Sequence, residues 1–228
     1  MKTKALLLAM TTTVFALGSK AQETPGTTFG VRAGVNFQNI NGKDFFDKKL
    51  DNKIKTGFNV GINAEIPIAS EFYLQPGVLF TTKGAKNKND DDIKVNLSYI
   101  EVPINFLYKP ELGMGKLLLG IGPYIAFGIG GKVSNAEGKE IDIEFKKEVS
   151  NIDYTAAVDP PANYPPPFFK RFDAGGNLLV GYELSNNFSV QLNAQLGLVN
   201  INSDIEGISD NNTKFKNTGF GLSVGYRF

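Results

Sequence analysis

The chain is 228 residues long and carries 24 Lys+Arg against 23 Asp+Glu, with 25 Gly, 18 Phe, 8 Tyr and no Cys, His or Trp. That length suits one sizeable domain or two small ones, and the missing Cys and His exclude disulfides, lipid attachment through an N-terminal Cys, thiolate or imidazole metal sites, cysteine nucleophiles and any Ser-His triad. Balanced charge offers no basic field for nucleic acid, and glycine, at about 11% of residues against a usual ~7%, needs a structural reason.

Lys2 and Lys4 precede an apolar run from Ala5 to Gly18, and Ser19-Lys20-Ala21 supplies small residues where a signal peptidase reads. Residues 1–21 are therefore expected to be a secretory signal peptide cut before Gln22, leaving 22–228 as one domain. The apolar run is shorter than the ~20 residues of a spanning helix.

Beyond the leader, apolar residues recur with a period of two, the signature of strands with unlike faces. The first expected strand, Thr27 to Phe37, sets Phe29, Val31, Ala33, Val35 and Phe37 against Gly30, Arg32, Gly34 and Asn36. The second, Gly57 to Ile66, sets Phe58, Val60 and Ile62 against Asn59, Gly61 and Asn63. The third, Phe72 to Thr82, and the fourth, Val95 to Lys109, each contain a proline, Pro76 and Pro103, marking a local defect in hydrogen bonding. The fifth runs from Lys116 to Gly130, the sixth from Phe168 to Leu184, the seventh from Phe188 to Ile201 and the eighth from Lys214 to Phe228.

Connections alternate as well. Those after strands two, four and six are short, whereas Gln38 to Thr56, Gly84 to Lys94, Gly131 to Pro167 and Asn202 to Thr213 are long and polar. An even-stranded meander with this asymmetry predicts an all-β fold: an eight-stranded antiparallel up-and-down transmembrane β-barrel with short periplasmic turns and long extracellular loops. The longest loop is expected to hold an extra hairpin over Glu140 to Glu148.

Period two alone leaves open a soluble lipocalin-like barrel, apolar inside. The polar face decides between them. It is mostly Gly, Asn, Gln and Ser, suited to a lumen that eight strands leave just wide enough for side chains to fill, while lysines collect in loops and at strand ends. An interfacial aromatic girdle is expected at Phe29, Phe72, Tyr73, Tyr108, Tyr182, Phe188, Tyr226 and Phe228, with Phe37, Phe58, Phe80, Phe127 and Phe172 at the opposite rim. Inside, Arg32, Arg171 and Arg227 are expected to pair with Glu65, Glu101, Asp173 and Glu183, because unpaired charges in a confined interior cost several kcal/mol each. Such a network predicts a structural plug, with a narrow ion channel as the alternative.

The stretch Ser98-Tyr99-Ile100-Glu101-Val102-Pro103-Ile104, then Gly122-Pro123-Tyr124-Ile125, Arg171-Phe172-Asp173-Ala174-Gly175-Gly176, and the ending from Lys216-Asn217-Thr218 to Gly225-Tyr226-Arg227-Phe228 resemble the PorT-like outer-membrane β-barrel family of the Bacteroidetes. The resemblance covers the whole mature chain. It implies an outer-membrane barrel and offers no catalytic residues; the name-giving member belongs to a secretion and gliding apparatus.

The remaining motifs read blandly. Asn87 to Asp92 lacks the spacing of an EF-hand and has Lys86 and Lys88 beside it, so a solvated loop is favoured over a calcium site, as it is for Asp204, Glu206, Asp210 and Asn211. The Pro-rich stretch Asp159 to Phe169, with Tyr164, Phe168 and Phe169, is expected to anchor the longest loop at the barrel rim. Gly120 to Gly131 resembles a phosphate loop only in composition, since no helix follows. The expected function is non-enzymatic: structure, adhesion or docking through the long loops, with no cofactor. Expected partners are outer-membrane lipid, the barrel-assembly machinery acting on the last strand that ends at Phe228, and a protein at the surface loops.

Overall fold

The computed structural model describes residues 26–44, 47–153, 167–207 and 213–228. The leader expected over 1–21, the stretch 159–166 with Tyr164, and Asp210 and Asn211 lie outside the described residues. Eight long strands carry the fold: β1 (Thr28–Lys43), β2 (Lys55–Ala69), β3 (Phe72–Asn87), β4 (Lys94–Tyr108), β5 (Gly115–Ser134), β6 (Phe172–Glu183), β7 (Phe188–Gly197) and β8 (Lys214–Arg227). Each pairs antiparallel with its neighbour in the chain, and β8 returns to β1 from Gly30↔Arg227 to Lys43↔Lys214, so the sheet closes without an edge. The short turns lie together at one end, where Glu71, Gly113 and Asn187 adopt left-handed φ values of 63, 64 and 67°.

Alternation places the apolar residues outward. Val31, Val35, Val60, Ile62, Ile121, Leu178, Leu192, Leu222 and Val224 are all exposed on the outer wall, forming a continuous lipid-facing belt. The soluble lipocalin-like alternative fails on this point, because the apolar face is outside. Aromatic pairs bound the belt. Phe72 stacks on Tyr108 at 4.7 Å and Phe188 packs on Tyr226 at 4.9 Å near the short turns; Phe37–Phe220, Phe58–Phe80 and Phe127–Phe172 lie 5.2, 5.5 and 5.6 Å apart at the other rim. From Phe29 to Phe37 the wall rises about 27 Å along the strand at ~3.4 Å per residue, or roughly 20 Å along the membrane normal at a ~40° tilt.

Several strands run further than their sequence pattern suggests. β1 continues past Phe37 to Lys43, β3 past Thr82 to Asn87, and β5 past Gly130 to Ser134. Beyond the upper aromatics the wall leaves lipid and its apolar residues turn inward: Ile40, Ala85, Leu97 and Val133 pack with Ile143, Phe169 and Ile201 in a buried core. In β5 a bulge assists the change, since Tyr99 faces Gly128 while Ser98 faces Gly130, leaving Ile129 as the extra residue.

The loops cap this core. Glu140–Asp142 pairs with the end of β5, which keeps the first arm of the expected hairpin; Glu148–Val149 instead pairs parallel with Asp204–Ile205. The expected sixth strand also divides: β6 begins at Phe172, and Phe168–Phe169 forms a separate parallel pair with Glu144–Phe145. Both phenylalanines are buried, so this end of the Pro-rich stretch is anchored into the cap. β7 stops at Gly197, short of the expected Ile201, which is drawn into the cap core.

The inward glycines are required by close strand contact as well as by a narrow lumen. A Cβ at Gly122 would stand 1.9 Å from the Ile104 carbonyl oxygen, and one at Gly61 2.2 Å from that of Val78.

Candidate functional site: the filled lumen and its cap

The lumen is closed by two ion clusters, each electrically neutral. Near the short turns, Lys109 at the end of β4 reaches Glu65 on β2 at 2.7 Å and Glu183 on β6 at 2.9 Å, while Arg227 on β8 meets Glu65 at 2.6 Å and hydrogen-bonds Asn63 at 2.7 Å. The Lys109 ammonium also sits 5.3 Å from the centre of the Tyr73 ring. Two cations and two carboxylates from four strands thus lock the wall across its diameter.

The second cluster lies deeper, under the cap. Lys83 on β3 pairs with Glu101 on β4 at 2.8 Å and with Asp173 on β6 at 3.2 Å, and its ammonium lies 4.1 Å from the Tyr124 ring centre. Asn217 donates to Asp173 at 3.0 Å and Gln195 to Glu101 at 2.6 Å. Arg32, which donates to the Asn193 side-chain carbonyl at 3.2 Å, supplies the second positive charge within electrostatic reach of Glu101.

Between the clusters a ladder of amides fills the bore. Gln75 donates to Glu65, Asn105 to Gln75 and Asn177 to Asn105, at 3.1, 3.3 and 2.8 Å. Leu107, Leu118 and Leu179 make an apolar layer beside it. A residual cavity of about 30 Å³ next to Arg32 has space for one or two waters. The unpaired Arg32 Nε, Asn36 Oδ1, Gln38 Oε1 and Asn59 Oδ1 are the groups that water would satisfy.

Of the seven charged residues expected in the lumen, Arg32, Glu65, Glu101, Asp173, Glu183 and Arg227 all stand there, split between the two clusters. Arg171 does not. It precedes β6, is exposed, and places its guanidinium 5.4 Å from the Phe145 ring, so it belongs to the cap. Lys83 and Lys109, the cations at the centre of each cluster, are absent from the expected set. Both were within reach of the pattern: Lys83 continues the inward series Gln75, Gly77, Leu79, Thr81, and Lys109 continues Glu101, Asn105, Leu107. Of the girdle, Phe29, Phe72, Tyr108, Phe188, Tyr226 and Phe228 lie on the outside, and Tyr182 donates its hydroxyl to the Leu112 carbonyl at 2.7 Å. Tyr73 is the exception, packing inward against the Leu107 layer.

The acidic loop is tied up by lysine: Asp91 meets Lys53 at 2.9 Å and Lys86 at 3.5 Å, and Lys88 pairs with Asp51. Among the described residues no three acidic side chains converge on a common point.

A closed eight-stranded barrel with an apolar belt, aromatic rims and a charge-compensated interior is a transmembrane β-barrel of the outer-membrane type. The chain belongs to the outer membrane protein beta-barrel domain family, whose model matches residues 20–203. Among solved structures it is similar to Ail, the attachment invasion locus protein of Yersinia pestis, in complex with the heparin analogue sucrose octasulfate: 15% identity, covering 89% of this chain and 99% of that one, TM-score 0.41. Neisserial surface protein A is 13% identical, covering 90% of this chain and 100% of its own, TM-score 0.46. A major outer membrane protein from Thermus thermophilus is 16% identical, covering 89% of this chain and 99% of that one, TM-score 0.42. A search of curated proteins finds no match.

Proposed function

We propose that this protein is a non-enzymatic outer-membrane barrel that works as a plugged anchor, holding a rigid extracellular platform for adhesion or docking. The observation that carries this reading is the filling of the lumen: two neutral ion clusters, an amide ladder and an apolar cap succeed one another along the bore. A narrow ion channel needs a continuous wet path, whereas the bore beside Arg32 holds voids of only about 30 and 10 Å³, space for a water or two. Catalysis would need a nucleophile and base without Cys or His, and the family supplies no precedent. The reading includes residues 1–21 as a removable leader and 22–228 as the mature barrel, a PorT-like kinship, no cofactor, no nucleic-acid partner, and recognition of the last strand by the assembly machinery.

Planar-bilayer recordings of the refolded chain test the plug. No stable conductance is expected, and a reproducible nanosiemens-scale pore overturns the reading. The platform is tested in intact cells by a photocrosslinking residue in place of Ile152, which is 81% exposed in the longest loop. A specific protein adduct is expected; its consistent absence reduces the role to a purely structural one.

A further inference from the structure

The charges on the extracellular end are unevenly placed. Residues 38–56, 84–95 and 213–217 carry ten lysines against six aspartates, whereas residues 130–153, 167–171 and 198–207 carry six basic against eight acidic side chains. One side is therefore basic and the other acidic. On the basic side the strand register sets lysines against each other: Lys86 faces Lys94, Lys53 faces Lys86, and Lys43 faces Lys214. Like charges directly opposite in a sheet destabilise it, so three such pairs on neighbouring strands call for an outside reason.

Local carboxylates neutralise them only in part: Lys43 pairs with Asp47 at 2.9 Å, but the other lysines are left short of partners. Lys53 and Lys86 share the single Asp91. Lys55 and Lys94 make no ion pair among the described residues, and Lys55 feels both Lys94 and Lys86 as like charges. Glu140, the carboxylate that senses Lys94, is already held by Lys132 at 2.9 Å.

Height along the wall points to the occupant. Lys86 lies six residues beyond Phe80 and Lys94 six before Ile100, roughly 20 Å along the strand at ~3.4 Å per residue, or about 15 Å above the aromatic rim after a ~40° tilt. Lys86 and Lys94 alternate in phase with the lipid-facing Phe80 and Ile100, so both project sideways from the wall, toward the membrane surface, and Lys53 faces Lys86 on the same side; Lys55, opposite the buried Gln38, starts on the inward face. We propose that Lys53, Lys86 and Lys94 form a binding site for the phosphate groups of an outer-leaflet glycolipid, whose sugar headgroup fills this layer. This goes beyond the plugged-anchor reading and does not depend on it. An anionic ligand converts mutually repelling lysines into a cradle, which a neutral headgroup cannot do.

The test uses the full chain folded in phosphatidylethanolamine nanodiscs doped with bis-phosphorylated lipid A or with the same lipid stripped of phosphate, read by native mass spectrometry. Retention of the phosphorylated lipid alone is expected. K53Q/K86Q/K94Q should weaken retention by about fivefold for each lysine removed, while K139Q/K146Q/K147Q on the acidic side, away from Glu140's partner Lys132, leaves it unchanged. Heat-modifiable migration checks that both variants fold; should the triple variant fail, K86Q/K94Q carries the test. Equal retention of the phosphate-free lipid, or equal loss in the two variants, overturns the proposal. Displacement of the bound lipid by inorganic phosphate or by a soluble sulfated glycan at matched phosphate or sulfate concentration overturns the lipid as the source of the anion.

Discussion

The same eight strands pass through two regions with opposite rules. Within the membrane layer Val60, Ile121 and Leu222 face outward and Glu65, Asn105 and Asp173 are buried; above the upper aromatic rim Leu97 and Val133 are buried and Lys86, Lys94 and Lys132 line the outside. The strand backbone is continuous across the change, so the surrounding solvent decides which face is apolar. In lipid there is no hydrophobic gain from hiding a leucine, whereas unsatisfied polar groups are costly there. In water the familiar burial of apolar surface returns.

That contrast can be broken at each level. The largest effect is expected in the lumen. Lys83→Met strands Glu101 and Asp173 in a buried site, and removing one partner of a buried pair costs ~3–5 kcal/mol. The urea midpoint of heat-modifiable folding should fall sharply, and combining Lys83→Met with Asp173→Asn, which leaves Glu101 to balance Arg32, should recover most of the loss. A midpoint unmoved by the single variant would show that the cluster does not hold the wall together.

Next comes the belt. Leu222→Arg at mid-wall should cost ~2–4 kcal/mol by the depth dependence of lipid-facing charges, measured as lowered refolding stability in vesicles. Thr56→Arg, exposed on the outward face beyond Phe58 and opposite Phe37, should stay within ~0.5 kcal/mol of wild type. Equal costs at the two positions would place the water boundary wrongly.

The cap should respond locally. Ile143→Ala removes a buried side chain from the extracellular core, a change that typically costs ~2–5 kcal/mol. Faster proteolysis within residues 131–167 is expected, with the membrane barrel still heat-modifiable. Loss of both together would mean that cap and barrel form one cooperative unit.

The smallest effect belongs to the exposed loop pairs. The hydrogen bond from Lys53, then its charge and that of Lys86, hold the Asp91 carboxyl below the usual carboxylate range. A lowered folded value adds stability above the ordinary carboxylate pKa, which is lost as pH falls through the lowered value. Because the group is fully exposed, Asp91→Asn should leave the urea midpoint at neutral pH unchanged. A clear drop would reveal an organised loop network.

The region inside the lipid was the more legible of the two. Unbroken alternation in Phe29 to Phe37 and Phe220 to Phe228 specifies strands, faces and closure, because one environment acts along the whole segment. Past Phe37 the apolar residue shifts to Ile40 on the other face, and past Thr82 to Ala85, so the pattern reads as a strand end where the strand continues. Lys83 and Lys109 escaped for a related reason: a lysine at a strand end is usually solvated, and that expectation outweighed the inward series each of them continues. The cap pairings, such as Phe168–Phe169 with Glu144–Phe145, join short pieces far apart in the chain and leave no periodic trace.

The seam between β1 and β8 carries a consequence for how the molecule is made. Arg227 reaches the Thr28 carbonyl across a separation of 199 residues. Closing a loop that long costs about 2 kcal/mol more chain entropy than closing a 15-residue hairpin. Every other long-strand pairing joins neighbours in the chain, but the ring is incomplete until the final strand arrives. Until then β1 presents an open row of hydrogen-bonding groups, a template for pairing with another copy. Biogenesis therefore has a slow last step, and the seam is where a stalled chain would swap strands or aggregate.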